Sequence, residues 1–126
     1  MKLDYIENIN IHGDNVVRLY DFDRLQADKF RETLKQVILI DKLPLELSSI
    51  DFIQARNCQL TLRISNEDTG IVTIDNKIFF CDLTIEAYKK MISLLEPFCK
   101  KETKGYQWLY DVDSSTDFLF SPAGTW

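Results

Sequence analysis

The residues with most scope for chemistry lie in LYDVDSSTDFLFSPAGTW, residues 109–126. Asp111, Asp113, Ser115 and Asp117 alternate along it, as the first four ligand positions of a calcium loop do. The later positions do not fit. Thr116 stands sixth, where such a loop turns on glycine, and Pro122 stands twelfth, where it needs a bidentate glutamate. His12 is the lone histidine, and Cys58, Cys81 and Cys99 lack the spacing of zinc ligands. We therefore expect no resident metal and no cofactor.

The pentad LYDVD at 109–113 has a counterpart, LYDFD at 19–23. A hydrophobic strand followed by Asp-x-Asp is similar to the opening motif of haloacid-dehalogenase-type phosphatases. That resemblance implies a nucleophilic aspartate, an acid–base aspartate and a magnesium ion. It covers only five residues per copy, and an antiparallel meander, not a parallel α/β fold, is what the chain after the first copy spells. We set it aside and assign these aspartates to turns and caps, where a carboxylate accepts from nearby backbone N–H groups. A nucleophile–histidine pair would have to use His12, which sits in the turn-like INIHGDN. No glycine-rich phosphate loop is present. The expected catalytic set is empty, and the chain reads as a non-enzymatic protein.

Binding is the better-supported chemistry. Tyr106, Trp108, Tyr110, Phe118, Phe120 and Trp126 crowd the same carboxy-terminal stretch. Period-two spacing puts Tyr106, Trp108 and Tyr110 on one strand face. Tyrosine and tryptophan are the residues of interface hot spots, and rim aspartates select a basic partner. The candidate binding set is Tyr106, Trp108, Tyr110, Asp111, Asp113, Asp117 and Trp126.

Two helices and a set of strands must position these groups. Asp23 caps a helix whose stripe is Ala27, Phe30, Leu34, Val37 and Ile38, with Gln26 completing a capping box. Thr84 caps a second, with Ile85, Tyr88, Met91, Ile92 and Leu95 on one face. Glu86 precedes Lys90 at the ion-pair spacing, and Pro97 marks the expected end. Strands are expected in NVVRLYDF, IDFIQAR, CQLTLRIS, GIVTI, KIFFCDL, YQWLYDV and DFLFS. CQLTLRIS alternates strictly, the period of a half-buried strand, and Asp75-Asn76 reads as a tight hairpin turn. Short turns imply antiparallel neighbours. The expected fold is a single α+β domain over 1–126. It is a two-layer sandwich, an antiparallel sheet of six or seven strands with both helices on one face and the other face open.

Composition narrows the function further. The apolar share of 45% and charged share of 28% are those of a folded, soluble domain rather than a disordered chain. A net charge of −5 with no basic face argues against nucleic acid. No apolar run is long enough to span a membrane. Three widely spaced cysteines do not make a secreted disulfide framework, so a cytoplasmic location is expected. The functional expectation is a small acidic protein that binds a protein partner, basic in character, as an inhibitor, immunity protein or adaptor does. Two alternatives are a small-molecule site between sheet and helices, drawing on Tyr20, Tyr88, Tyr110 and Asp111, and a homo-oligomeric module.

Overall fold

The computed structural model describes residues 1–9, 13–111 and 116–123. In chain order the elements are β1 (Lys2–Ile6), β2 (Asn15–Tyr20), α1 (Arg24–Leu34), β3 (Leu45–Glu46), β4 (Gln54–Ala55), β5 (Gln59–Ile64), β6 (Gly70–Thr73), β7 (Ile78–Leu83), α2 (Ile85–Lys100), β8 (Gln107–Tyr110) and β9 (Thr116–Ser121). The α+β class holds. The single antiparallel sheet does not: the strands form two sheets of mixed orientation, ordered β4-β1-β2-β9-β8 and β3-β5-β7-β6.

Each sheet has a parallel pair at its centre, β2 with β9 and β5 with β7. The reason differs. Val16, Val17 and Leu19 of β2 and Phe118, Leu119 and Phe120 of β9 are all fully buried. Strands buried on both faces suit a covered central position, where parallel pairing is found. In the second sheet the short connection at 65–69 crosses the end of β7 instead of reversing beside β5. Ser65 N–H donates to Leu83 O at 2.8 Å, and Thr69 N–H donates to Asp82 O at 3.0 Å. The crossing covers two strand spacings, ~9.6 Å, within reach of five residues. It puts four-residue β6 at the edge and six-residue β7, with Phe79, Cys81 and Leu83 fully buried, inside. The β6–β7 hairpin forms, but its loop, residues 74–77, is longer than the expected two-residue turn; Thr73 pairs with Phe79, Asn76 is at φ 58, and Asp75 Oδ1 accepts from both Lys77 and Ile78 N–H at 3.0 Å.

Both helices start where expected. Asp23 Oδ1 accepts from Gln26 N–H at 2.9 Å, and Gln26 Oε1 accepts from Asp23 N–H at 3.3 Å. Thr84 Oγ1 accepts from Ala87 N–H at 3.2 Å. Their ends differ from expectation. The helix begun by α1 runs on through Lys35–Ile40 with wider, i→i+5 winding. Pro97 lies inside α2, because the turn after it buries Phe98 and Cys99. Glu86 pairs with Lys89 at 3.3 Å, not with Lys90.

The helices and the inner faces of both sheets enclose one core. Phe120 of β9 stands among Phe22, Phe98 and Phe30, at ring separations of 4.1, 5.2 and 6.0 Å. Tyr5 of the first sheet meets Phe79 of the second at 4.7 Å. The far face of the first sheet is not simply open, for Val16 and Leu119 are fully buried there, outside the main core. In register, Leu119 stands between Arg18 and Trp108, whose long side chains flank it. Among the described residues, no helix is long and apolar enough to cross a membrane.

Candidate functional site

A cleft of about 650 Å³ opens between α2 and β8. The helix contributes Glu86, Ala87, Lys90 and Leu94, which share a face by their spacing of three and four. The β5–β6 connection contributes Asp68. The strand contributes all of residues 107–111. Successive strand residues point to opposite faces, so a cavity touched by five in a row runs along the edge of the strand rather than over one face. The sheet order agrees: among the described residues β8 is an edge strand, paired only with β9.

A bulge in β8 shapes this edge. Trp108 lies opposite Leu119 and Tyr110 opposite Phe118, with Leu109 as the extra residue. Leu119 and Phe118 are consecutive, so their partners face opposite ways. The expectation that Tyr106, Trp108 and Tyr110 share a face is therefore corrected: a bulge breaks the period of two. Tyr106, half exposed, stands edge-on to Trp108 at 5.9 Å on the far face. Tyr110 turns inward, and its hydroxyl donates to Asp68 O at 3.3 Å.

The structure thus gathers Trp108, Tyr110 and Asp111 at one cleft and adds Asp68, Glu86 and Lys90, none of them a candidate site residue from sequence, where Glu86 and Lys90 were read only as a helix ion pair. Asp68 is not a free carboxylate. Its Oδ1 accepts from both Thr84 N–H and Thr84 Oγ1–H at 2.8 Å. Lys90 lies one turn beyond Glu86, so the helical spacing already put the two on one face. Asp68 had no such signal, because only the crossing of β7 carries it to the cleft. Asp117 lies on β9 beside Val16 and is not among the residues that line the cleft. Burial raises its carboxyl to about 6, and the charges of Asp111 and Asp14 add to the effect. Asp113, Trp126 and His12 lie outside the described residues.

The other polar candidates do not converge. The Tyr88 hydroxyl is within 2.8 Å of Arg63 O and 2.7 Å of Cys81 O, so it bonds the second sheet from inside the core. Burial holds this phenol neutral, far above the usual tyrosine range. Tyr20 lies under the Arg18 guanidinium at 3.8 Å on the far face. The cysteines are free and buried. Burial pushes the Cys58 and Cys81 thiols up to about 12, which removes the thiolate a nucleophile needs. Among the described residues, no three histidine, cysteine or acidic side chains are grouped to hold a metal ion. The cleft brings together the Tyr110 ring, the strand edge at Trp108, the apolar Ala87 and Leu94, and the carboxylates of Asp68, Glu86 and Asp111 against the Lys90 ammonium.

No protein-family model, curated protein or solved structure matches the chain.

Proposed function

We propose that this protein acts by binding a partner protein through the cleft between α2 and β8, and that the partner presents basic residues there. One observation carries this reading. Trp108 and Tyr110 line the same cleft as Asp68, Glu86 and Asp111, with Lys90 as the only base among the described lining residues. Aromatic rings supply contact area at small entropic cost, while carboxylates around them favour a basic partner and repel acidic ones. An inhibitor, immunity protein or adaptor would use such a surface.

The test is affinity capture from native extract with the wild type, with Trp108→Ala and with Glu86→Gln/Asp111→Asn. A partner held by the wild type and lost from both variants, then rebound as purified protein with salt-sensitive affinity, is the expected result. A partner indifferent to both changes moves the site elsewhere. Turnover of a substrate by the purified chain would overturn the non-enzymatic class.

A small-molecule ligand is the second reading. A cleft of about 650 Å³ between a helix and a sheet edge falls in the size range of ligand sites. A thermal-shift screen against a metabolite library separates the two, because only a ligand-binding cleft gives a saturable rise in melting temperature that Ala87→Phe, by filling the space, abolishes.

A further inference from the structure

We infer that the edge of β8 at residues 107–109, which pairs with no further strand among the described residues, takes up an extended, basic segment of the partner as an added strand, laid between β8 and α2. This rests on the partner-binding reading and specifies its mode. An edge strand beside a helix offers main-chain hydrogen bonds for affinity and a groove for alternate side chains. The cleft follows β8 residue by residue, with the Glu86, Ala87, Lys90 and Leu94 face of α2 as its opposite wall. The edge already has a stand-in for a neighbour: the Gln107 side-chain amide donates to Trp108 O at 2.9 Å. An incoming backbone N–H would replace that amide. The helix wall is apolar at Ala87 and Leu94, so side chains pointing that way along the added strand would be small or aliphatic. Asp68, Glu86 and Asp111 set the sign of its charge.

The experiment uses the full chain and a displayed library of random nonapeptides. Enriched peptides are synthesised plain and with alternate backbone amides N-methylated, which blocks strand pairing and leaves side-chain charge intact. The expected peptides alternate lysine or arginine with aliphatic residues. Bound, they slow amide exchange within residues 107–109 and shift the Ala87 and Leu94 signals. N-methylation weakens them by about tenfold or more, the loss of one or two net hydrogen bonds. Glu86→Gln/Asp111→Asn weakens them by about fivefold, as two exposed charges would. Cleft-binding peptides that ignore N-methylation and leave 107–109 unprotected overturn the added strand while the partner-binding reading stands. Selection that returns no peptide at the cleft also overturns the added strand, and loss of the partner-binding reading is read separately, from capture of a partner that is indifferent to Trp108→Ala and Glu86→Gln/Asp111→Asn.

Discussion

Arg18 and Asp4 face each other across the β1–β2 ladder and join through two hydrogen bonds, Nε to Oδ1 at 2.7 Å and Nη2 to Oδ2 at 3.0 Å. The second sheet repeats the arrangement. Arg63 of β5 lies opposite Asp82 of β7 with bonds of 2.7 and 2.8 Å. Each guanidinium also lies over an aromatic ring of its own sheet, Tyr20 at 3.8 Å and Phe80 at 4.0 Å. Exposure differs: 16% and 14% for the first pair of side chains, 41% and 19% for the second. Double-mutant cycles to alanine should therefore give unequal couplings. We expect ~1–2 kcal/mol for Arg18–Asp4, as a shielded bidentate pair, and ~0.5 kcal/mol for Arg63–Asp82, where solvent screens the charges. Equal couplings would show that burial does not govern these pairs.

Tyr88→Phe isolates a buried hydroxyl that ties α2 to the β5–β7 pair. A hydroxyl has a single hydrogen and donates to one carbonyl at a time. Its loss should cost ~1–2 kcal/mol in denaturant unfolding, with the m-value unchanged. A loss under ~0.3 kcal/mol would mean the two carbonyls are satisfied without it.

Asp117 makes stability depend on pH in a definite direction. Its folded-state value of about 6 lies above that of an unfolded aspartate, ~3.9. Below ~pH 4 both states are protonated, and the favourable contribution is fully present. It is lost as pH rises through about 6, because the folded state must then carry a half-buried charge beside Asp111 and Asp14. Asp117→Asn should thus raise the melting temperature relative to wild type at pH 7, with the difference shrinking towards pH 4. Carboxyl-carbon NMR should show the Asp117 midpoint fall when Asp111→Asn removes the neighbouring charge. A midpoint near 4 in the wild type would refute the account.

The buried thiols predict a simple reactivity. Cys58, Cys81 and Cys99 are free, and burial raises all three pKa values. A thiol-specific chromogenic disulfide at pH 8 should label almost nothing in the folded protein and all three thiols in denaturant. Rapid labelling of the native chain would place at least one sulfur in an accessible, ionisable setting.

Phe120 is the centre of the aromatic cluster with Phe22, Phe30 and Phe98. Phe120→Ala should cost ~3–5 kcal/mol, the penalty for a cavity in a rigid core. Phe80→Ala, on the partly exposed face of the second sheet, should cost far less. Urea unfolding of the two variants side by side checks the contrast.

The local layer of this fold was legible from the chain. Asp23 and Thr84 cap their helices, Asp75-Asn76 turns its hairpin and CQLTLRIS alternates, because each signal depends on atoms a few residues apart. Trp108, Tyr110 and Asp111, three of the candidate binding residues, line one cleft that α2 completes. Some signals were present and misread. The runs Val16-Val17 and Phe118-Leu119-Phe120 are the mark of strands covered on both faces, and such strands sit at the centre of a sheet. Other features had no local trace. The crossing of β7 by residues 65–69 looks, as sequence, like any tight turn. The β8 bulge that parts Trp108 from Tyr110 is set by pairing with β9. Propensity and capping act within a turn of helix or a pair of residues, so the sequence alone marked both helices and most of the strands, though not β1 or β3. Strand order, the two-sheet division and the cleft depend on which surfaces bury one another, and only the packed chain decides that.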